Sequence, residues 1–194
     1  MPVFLLSLFF LLFSSIIGVN HVDTALAASK QTWLQDQIDN ALFHASIVPV
    51  EDGLNEGIKE IRFADARTRF YERLKTNGDL SFTGSSLSPG DKSNLKQNVA
   101  IDFDLISAEE SAKSWEVTYT INRDTLVQSS RTQIGTSGEL RTKITLETGE
   151  VLTLPPKQLH GPALVVVAYG EEERLNKYTG LTHIPVIGIQ HITN

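Results

Sequence analysis

The spacing of apolar residues changes several times along this chain, and each change predicts a different element. An unbroken apolar run from Val3 to Val19 contains no charged residue. Over 29–46 the residues Trp33, Leu34, Ile38, Ala41, Leu42 and Ala45 recur at intervals of three and four. That spacing predicts a helix with one buried stripe. Thr32 with Gln35, or Ser29, offers a helix start, and Pro49 a stop. A second helical pattern runs from about Leu54 to Thr76 with a break near Phe63. Its stripes are Leu54, Ile58, Ile61 and then Ala66, Phe70, Leu74, and Gly78 is the expected end.

From Asp79 the period becomes two. Leu80 and Phe82 begin a short strand, and the stretch from Gly84 to Asp91 reads as loop. Val99, Ile101, Phe103 and Leu105 alternate with Asp102 and Asp104. Trp115, Val117, Tyr119 and Ile121 alternate with Glu116, Thr118 and Thr120, and Leu140, Thr142, Ile144 and Leu146 with Arg141 and Lys143. Each of these strands has one greasy and one wet face. Turns are expected at 122–124 and 135–138, with a two-residue hairpin turn at Thr148-Gly149. By contrast, 163–169 and 184–189 are apolar on both faces, as in strands covered on both sides. Between them, Glu171 to Asn176 reads as a charged connection.

Helices first and strands afterwards predict an α+β fold. Two N-terminal amphipathic helices should cover one face of an antiparallel, curved sheet of six to eight strands. In element order this resembles the cystatin-like and NTF2-like cones, without any shared sequence motif. A β-sandwich or small barrel with an N-terminal helical arm is the alternative.

After the apolar run comes a polar stretch and then Ala25-Leu26-Ala27, the small-x-small pattern read by signal peptidase. The expectation is a signal peptide over 1–27 and a single domain over 28–194. General secretory export would deliver that domain to a periplasm, a thylakoid lumen or the extracellular space. The rival reading is an uncleaved anchor formed by residues 3–19, which lies at the short limit of the roughly 17–25 residues that span a bilayer. The chain has no Cys, and Met1 is its one Met. Packing alone must therefore hold the exported domain, and nothing in it is easily oxidised, which suits an oxidising compartment. The net charge of −6, with signs interspersed, argues against a nucleic-acid partner.

Candidate chemistry is sparse. There is no HExxH, no phosphate-binding glycine loop and no nucleophile elbow. His183 and His191 share a strand face but lie roughly 26 Å apart at about 3.3 Å per residue. His160 sits in a stiff loop between Pro156 and Pro162, and loops carry function more often than strands do. Asp102 and Asp104 occupy wet strand positions and read as solvated surface. If the sheet encloses a pocket, His160, Trp115 and Tyr119 are the candidate ligand-binding residues. No catalytic residue, metal site or cofactor is expected. The leading functional expectation is an exported non-enzymatic domain that binds or helps assemble a protein complex at a membrane surface, in a periplasm or in a lumen. The alternatives are a small-ligand carrier with a pocket between helices and sheet, and a cone-fold hydrolase or isomerase.

Overall fold

The computed structural model describes residues 2–47, 63–175 and 180–192. Two helices lead: α1 (Pro2–Ser46) and α2 (Phe63–Gly78). Then come β1 (Leu80–Thr83), β2 (Ser86–Pro89), β3 (Val99–Ile106), the one-turn α3 (Ala108–Ser111), β4 (Ser114–Asn122) and β5 (Thr125–Gly135). The chain ends with β6 (Glu139–Thr145), β7 (Val151–Thr153), β8 (Lys157–Gln158), β9 (Ala163–Glu173) and β10 (Leu181–His191). The class is α+β, and no closed barrel forms among the described residues. The expected 29–46 helix is the second half of α1, which continues without a break from the apolar leader. Residues 54–62 of the second helical pattern lie outside the described residues.

The strands divide between two sheets. One, in the order β1-β2-β3-β9-β10, is antiparallel throughout. The other, β5-β4-β6-β7 with β8 on β6, pairs β4 and β6 in parallel. The single curved sheet expected from the alternation is thus replaced by two, and the cystatin-like or NTF2-like order is not confirmed.

The first sheet is the middle of three layers. On one face Leu34, Ile38 and Leu42 of α1 and Phe70 and Leu74 of α2 pack with Ile101, Phe103, Leu164, Val166 and Ile184. On the other, Ala100, Val165, Val167, Tyr169 and Ile187 pack against Val117, Tyr119, Ile121, Leu140 and Ile144 of the second sheet. This is why 163–169 is apolar on both faces: every residue from Ala163 to Gly170 is buried. It also corrects the reading of Asp102 and Asp104 as solvated surface. Their side of β3 faces the second sheet, and both are only partly exposed.

Several local expectations change with the geometry. Ser86–Pro89 is a strand, held by pairing with β1 and β3. Gly78 lies inside α2, packed against Gln37 of α1, and the left-handed residue that ends the helix is Asp79, at φ 50°. Gly170 is mid-strand in β9. The β6–β7 connection is longer than two residues. Gly149 N–H donates to Leu146 O at 2.9 Å and Leu146 N–H to Glu150 O at 2.8 Å, with only Gly149 left-handed, at φ 83°. A two-residue type I′ turn would need positive φ at Thr148 as well. Glu171–Glu173, expected as connection, extends β9 because β10 pairs with it out to Leu181.

The helix lies on the sheet at Gly188. A Cβ there would sit 2.6 Å from Ile38 Cγ2, 2.7 Å from Leu42 Cδ1 and 3.1 Å from Asp39 Oδ1. Gly188→Ala is therefore expected to wedge α1 off the sheet, at a cost of about 1–3 kcal/mol for an overpacked core. Urea unfolding followed by circular dichroism measures this as a lower midpoint. An unchanged midpoint would mean the helix is not seated there.

Candidate functional site

A cleft of about 520 Å³ opens between the two sheets at the end where β9 stops and β10 starts. Its walls come from four places. The entry to β3 gives Asn98 and Ala100, and the β4–β5 turn gives Arg123 and Asp124. The β6–β7 turn gives Leu146, Glu147 and Thr148, and the β9–β10 pair gives Tyr169, Glu171, Glu173, Leu181 and His183. Ala100, Ile121 and Leu146 supply apolar surface. Four carboxylates, Asp124, Glu147, Glu171 and Glu173, face one guanidinium, Arg123, among the described lining residues.

Strand alternation puts these groups there. Tyr169, Glu171 and Glu173 lie two apart on β9 and so share the face toward the second sheet. His183 of β10 is the register partner of Glu171. The Tyr169 hydroxyl lies 2.5 Å from Glu171 Oε1 and 2.7 Å from His183 Nδ1. A phenol has one proton. Donated to the carboxylate, it leaves the phenol oxygen to accept from His183 Nδ1–H, so the relay runs imidazole to phenol to carboxylate. Burial pushes the Tyr169 phenol above its ordinary range, and the bond to Glu171 and the charges of Glu171, Glu150 and Glu147 push it the same way. The phenol therefore stays neutral. The turns are held as well: Arg123 N–H donates to Glu147 Oε1 at 2.6 Å, and Asn98 Nδ2 to Asp124 Oδ2 at 3.1 Å.

The three residues singled out from sequence lie elsewhere. His160 is exposed, and its backbone N–H donates to His191 Nε2 at 3.1 Å, with the rings 5.5 Å apart. Trp115 Nε1 donates to Glu110 O at 2.9 Å, and the Arg131 guanidinium covers the indole at 4.5 Å. Tyr119 is buried and hydrogen-bonds Asp102. None of the three lines the cleft, though Ile121, the next inward residue of β4, does. Sequence reasoning missed Tyr169, Glu171 and His183. The available signal was alternation continuing through Gly170, which places Tyr169, Glu171 and Glu173 on one face. The space between helices and sheet, the other place for a pocket, is filled by residues such as Leu34, Ile38, Phe70 and Ile184. No group of three or more metal-ligating side chains forms among the described residues.

A second polar cluster closes the opposite edge of the inter-sheet space. Arg131 of β5 lies 3.0 Å from Glu110 and 3.6 Å from Asp104. Burial holds the Asp102 carboxyl above the usual carboxylate range, against the Tyr119 hydrogen bond and with help from neighbouring Asp104. The folded state thus binds the Asp102 proton more tightly than the unfolded chain does. Stability from this group is lost as pH rises from the unfolded value, about 3.9, through the raised folded one. Asp102→Asn is expected to match the parent near pH 3.5 and to exceed its urea midpoint at pH 7. A variant less stable than the parent at pH 7 would contradict this sign.

No family model matches the chain, and no curated protein or solved structure shows significant similarity to it.

Proposed function

We propose that this protein is a non-enzymatic binding domain at a membrane surface, whose inter-sheet cleft receives a positively charged, partly apolar segment of a partner protein. The observation that carries the reading is the composition of the cleft. An apolar floor is ringed by carboxylates that outnumber the single guanidinium, which favours a cationic group with an aliphatic stem, such as lysine or arginine. These carboxylates are exposed or partly exposed at the mouth, so they attract a cationic group through a field that salt screens. The Tyr169 phenol is held neutral with its proton committed to Glu171, which keeps the Glu171 carboxylate as a charged acceptor at the cleft.

A second reading is a carrier of small cationic amphiphiles. It is favoured by the cleft volume, which falls in the roughly 300–1,000 Å³ range of small-molecule sites.

Titration of the full chain in detergent with a synthetic peptide of alternating lysine and leucine, followed by calorimetry, tests the proposal. Binding is expected to weaken with salt, as surface charge pairing does. It should fall at least tenfold in the Glu171→Gln/Glu173→Gln variant and be absent for the glutamate–leucine counterpart. Equal binding of the acidic peptide would overturn the proposal. A simple alkylamine binding as tightly as the peptide would move the assignment to the carrier reading.

A further inference from the structure

We infer that α1 is a retained membrane anchor, not a removed leader, and that it holds the mouth of the cleft toward the bilayer.

The first half of α1 has the character of a lipid-facing segment. Leu8, Phe9, Phe10, Leu11, Leu12 and Phe13 are consecutive and all exposed. Six consecutive residues cover more than one full turn of a helix, so no side of this segment is polar and none is covered. A second copy or a partner helix would shield one face and leave the others in water, whereas a bilayer covers every face at once. Residues 3–19 span about 26 Å at 1.5 Å per residue, against a hydrocarbon core of about 30 Å. A difference of a few ångströms is absorbed by local thinning of the bilayer.

The second half is fastened to the body upstream of the Ala25-Leu26-Ala27 pattern. Asp23 is only 7% exposed, and its Oδ1 accepts the Leu175 N–H at 2.8 Å. Lys30 Nζ lies 2.7 Å from Glu172 Oε2, which is also buried, while Glu172 Oε1 accepts the Lys96 N–H at 2.9 Å. The helix is continuous through Ala25, Leu26 and Ala27. Removal of residues 1–27 would take Asp23 out of its contact just beyond the end of β9, so the folded body includes this part of α1.

Direction follows from the same contacts. Moving up α1, Gln31 reaches Pro185 O, Gln35 reaches Ile187 O, and Ile38 and Leu42 meet Gly188. The helix therefore advances in the sense of β10, away from the edge where β9 ends and β10 begins. Its bare half projects past that edge, with Val19 about 6 Å beyond Asp23. The same edge carries Glu171, Glu173 and His183 on the opposite face of the sheet, at the cleft. Leu175 and Leu181, also at this edge, are 63% and 43% exposed and so lie on the side from which the bare half of α1 projects.

This inference supplies the membrane surface on which the proposed function rests, but its test reads chain mass and lipid proximity and not ligand binding, so either can fail alone. The chain has no cysteine, so a single thiol gives a unique label. The full chain is expressed in a Gram-negative host, and its intact mass is read from membrane and soluble fractions. The uncut chain, 21.4 kDa, is expected in the membrane fraction. A soluble product beginning at Ala28 would overturn the inference. Nitroxide labels are then placed in Leu181→Cys and, at the far end, Gln158→Cys, in phosphatidylcholine nanodiscs. The label at 181 is expected to collide more with lipid-dissolved oxygen and less with an aqueous nickel chelate than the label at 158. Equal accessibilities would overturn the orientation. Asp23→Ala in the uncut chain should lower the urea midpoint, and an unchanged midpoint would show that this half of α1 is not docked.

Discussion

Everything in this structure depends on the burial of β9 on both faces. Along Ala163–Tyr169 every residue is buried, because α1 and α2 cover one face and the second sheet covers the other. A cysteine-free domain of this size has only such packing to oppose the entropy of ordering its chain. Apolar burial on both sides of one strand joins two cores that share no residue into one body. The glycines fit this role. Gly188 on β10 lets α1 approach the sheet, and Gly170 on β9 sits where a Cβ would meet Val99 Cγ2 at 3.3 Å.

The last residues of the same strand carry the polar features. Once past Gly170, alternation continues with charged residues in place of valines. Glu171 and Glu173 turn toward the cleft, and Glu172 turns toward α1 and Lys30. The strand thus places a binding surface and a helix attachment back to back, within three residues. Separating the acids onto two faces also keeps like charges apart. Glu172 is neutralised by a partly buried lysine and a backbone N–H, while Glu171 holds the Tyr169 phenol.

Much of this was legible in the sequence. The three-and-four spacing of Leu34, Ile38 and Leu42 marked the docked half of α1, and period-two alternation marked β3, β4 and β6. The two-sided runs marked β9 and β10 as the covered strands. What escaped has physical causes. β5 is an edge strand whose residues Gln128–Ser130 are all exposed, so its pairing with β4 is made by main-chain bonds that leave no hydrophobic pattern. The second sheet was hidden because Asp102 and Asp104 look like solvent positions, and only Tyr119 and Arg131 from other strands make that face habitable. The cleft was hidden because three consecutive glutamates read as a solvated run. Their division between two faces becomes visible only once β9 is known to continue to its pairing with Leu181. His160, singled out for its loop, meets His191 at the other end of β10.

The account rests on α1 and the end of β9 forming one rigid unit, with no flexible tether between anchor and domain. Amide hydrogen exchange of the full chain in lipid nanodiscs tests this most directly. Protection of residues 23–30 that equals the protection of 163–173 is the predicted result, since both then open only with the whole body. Rapid exchange over 23–30 beside a protected β9 would contradict it.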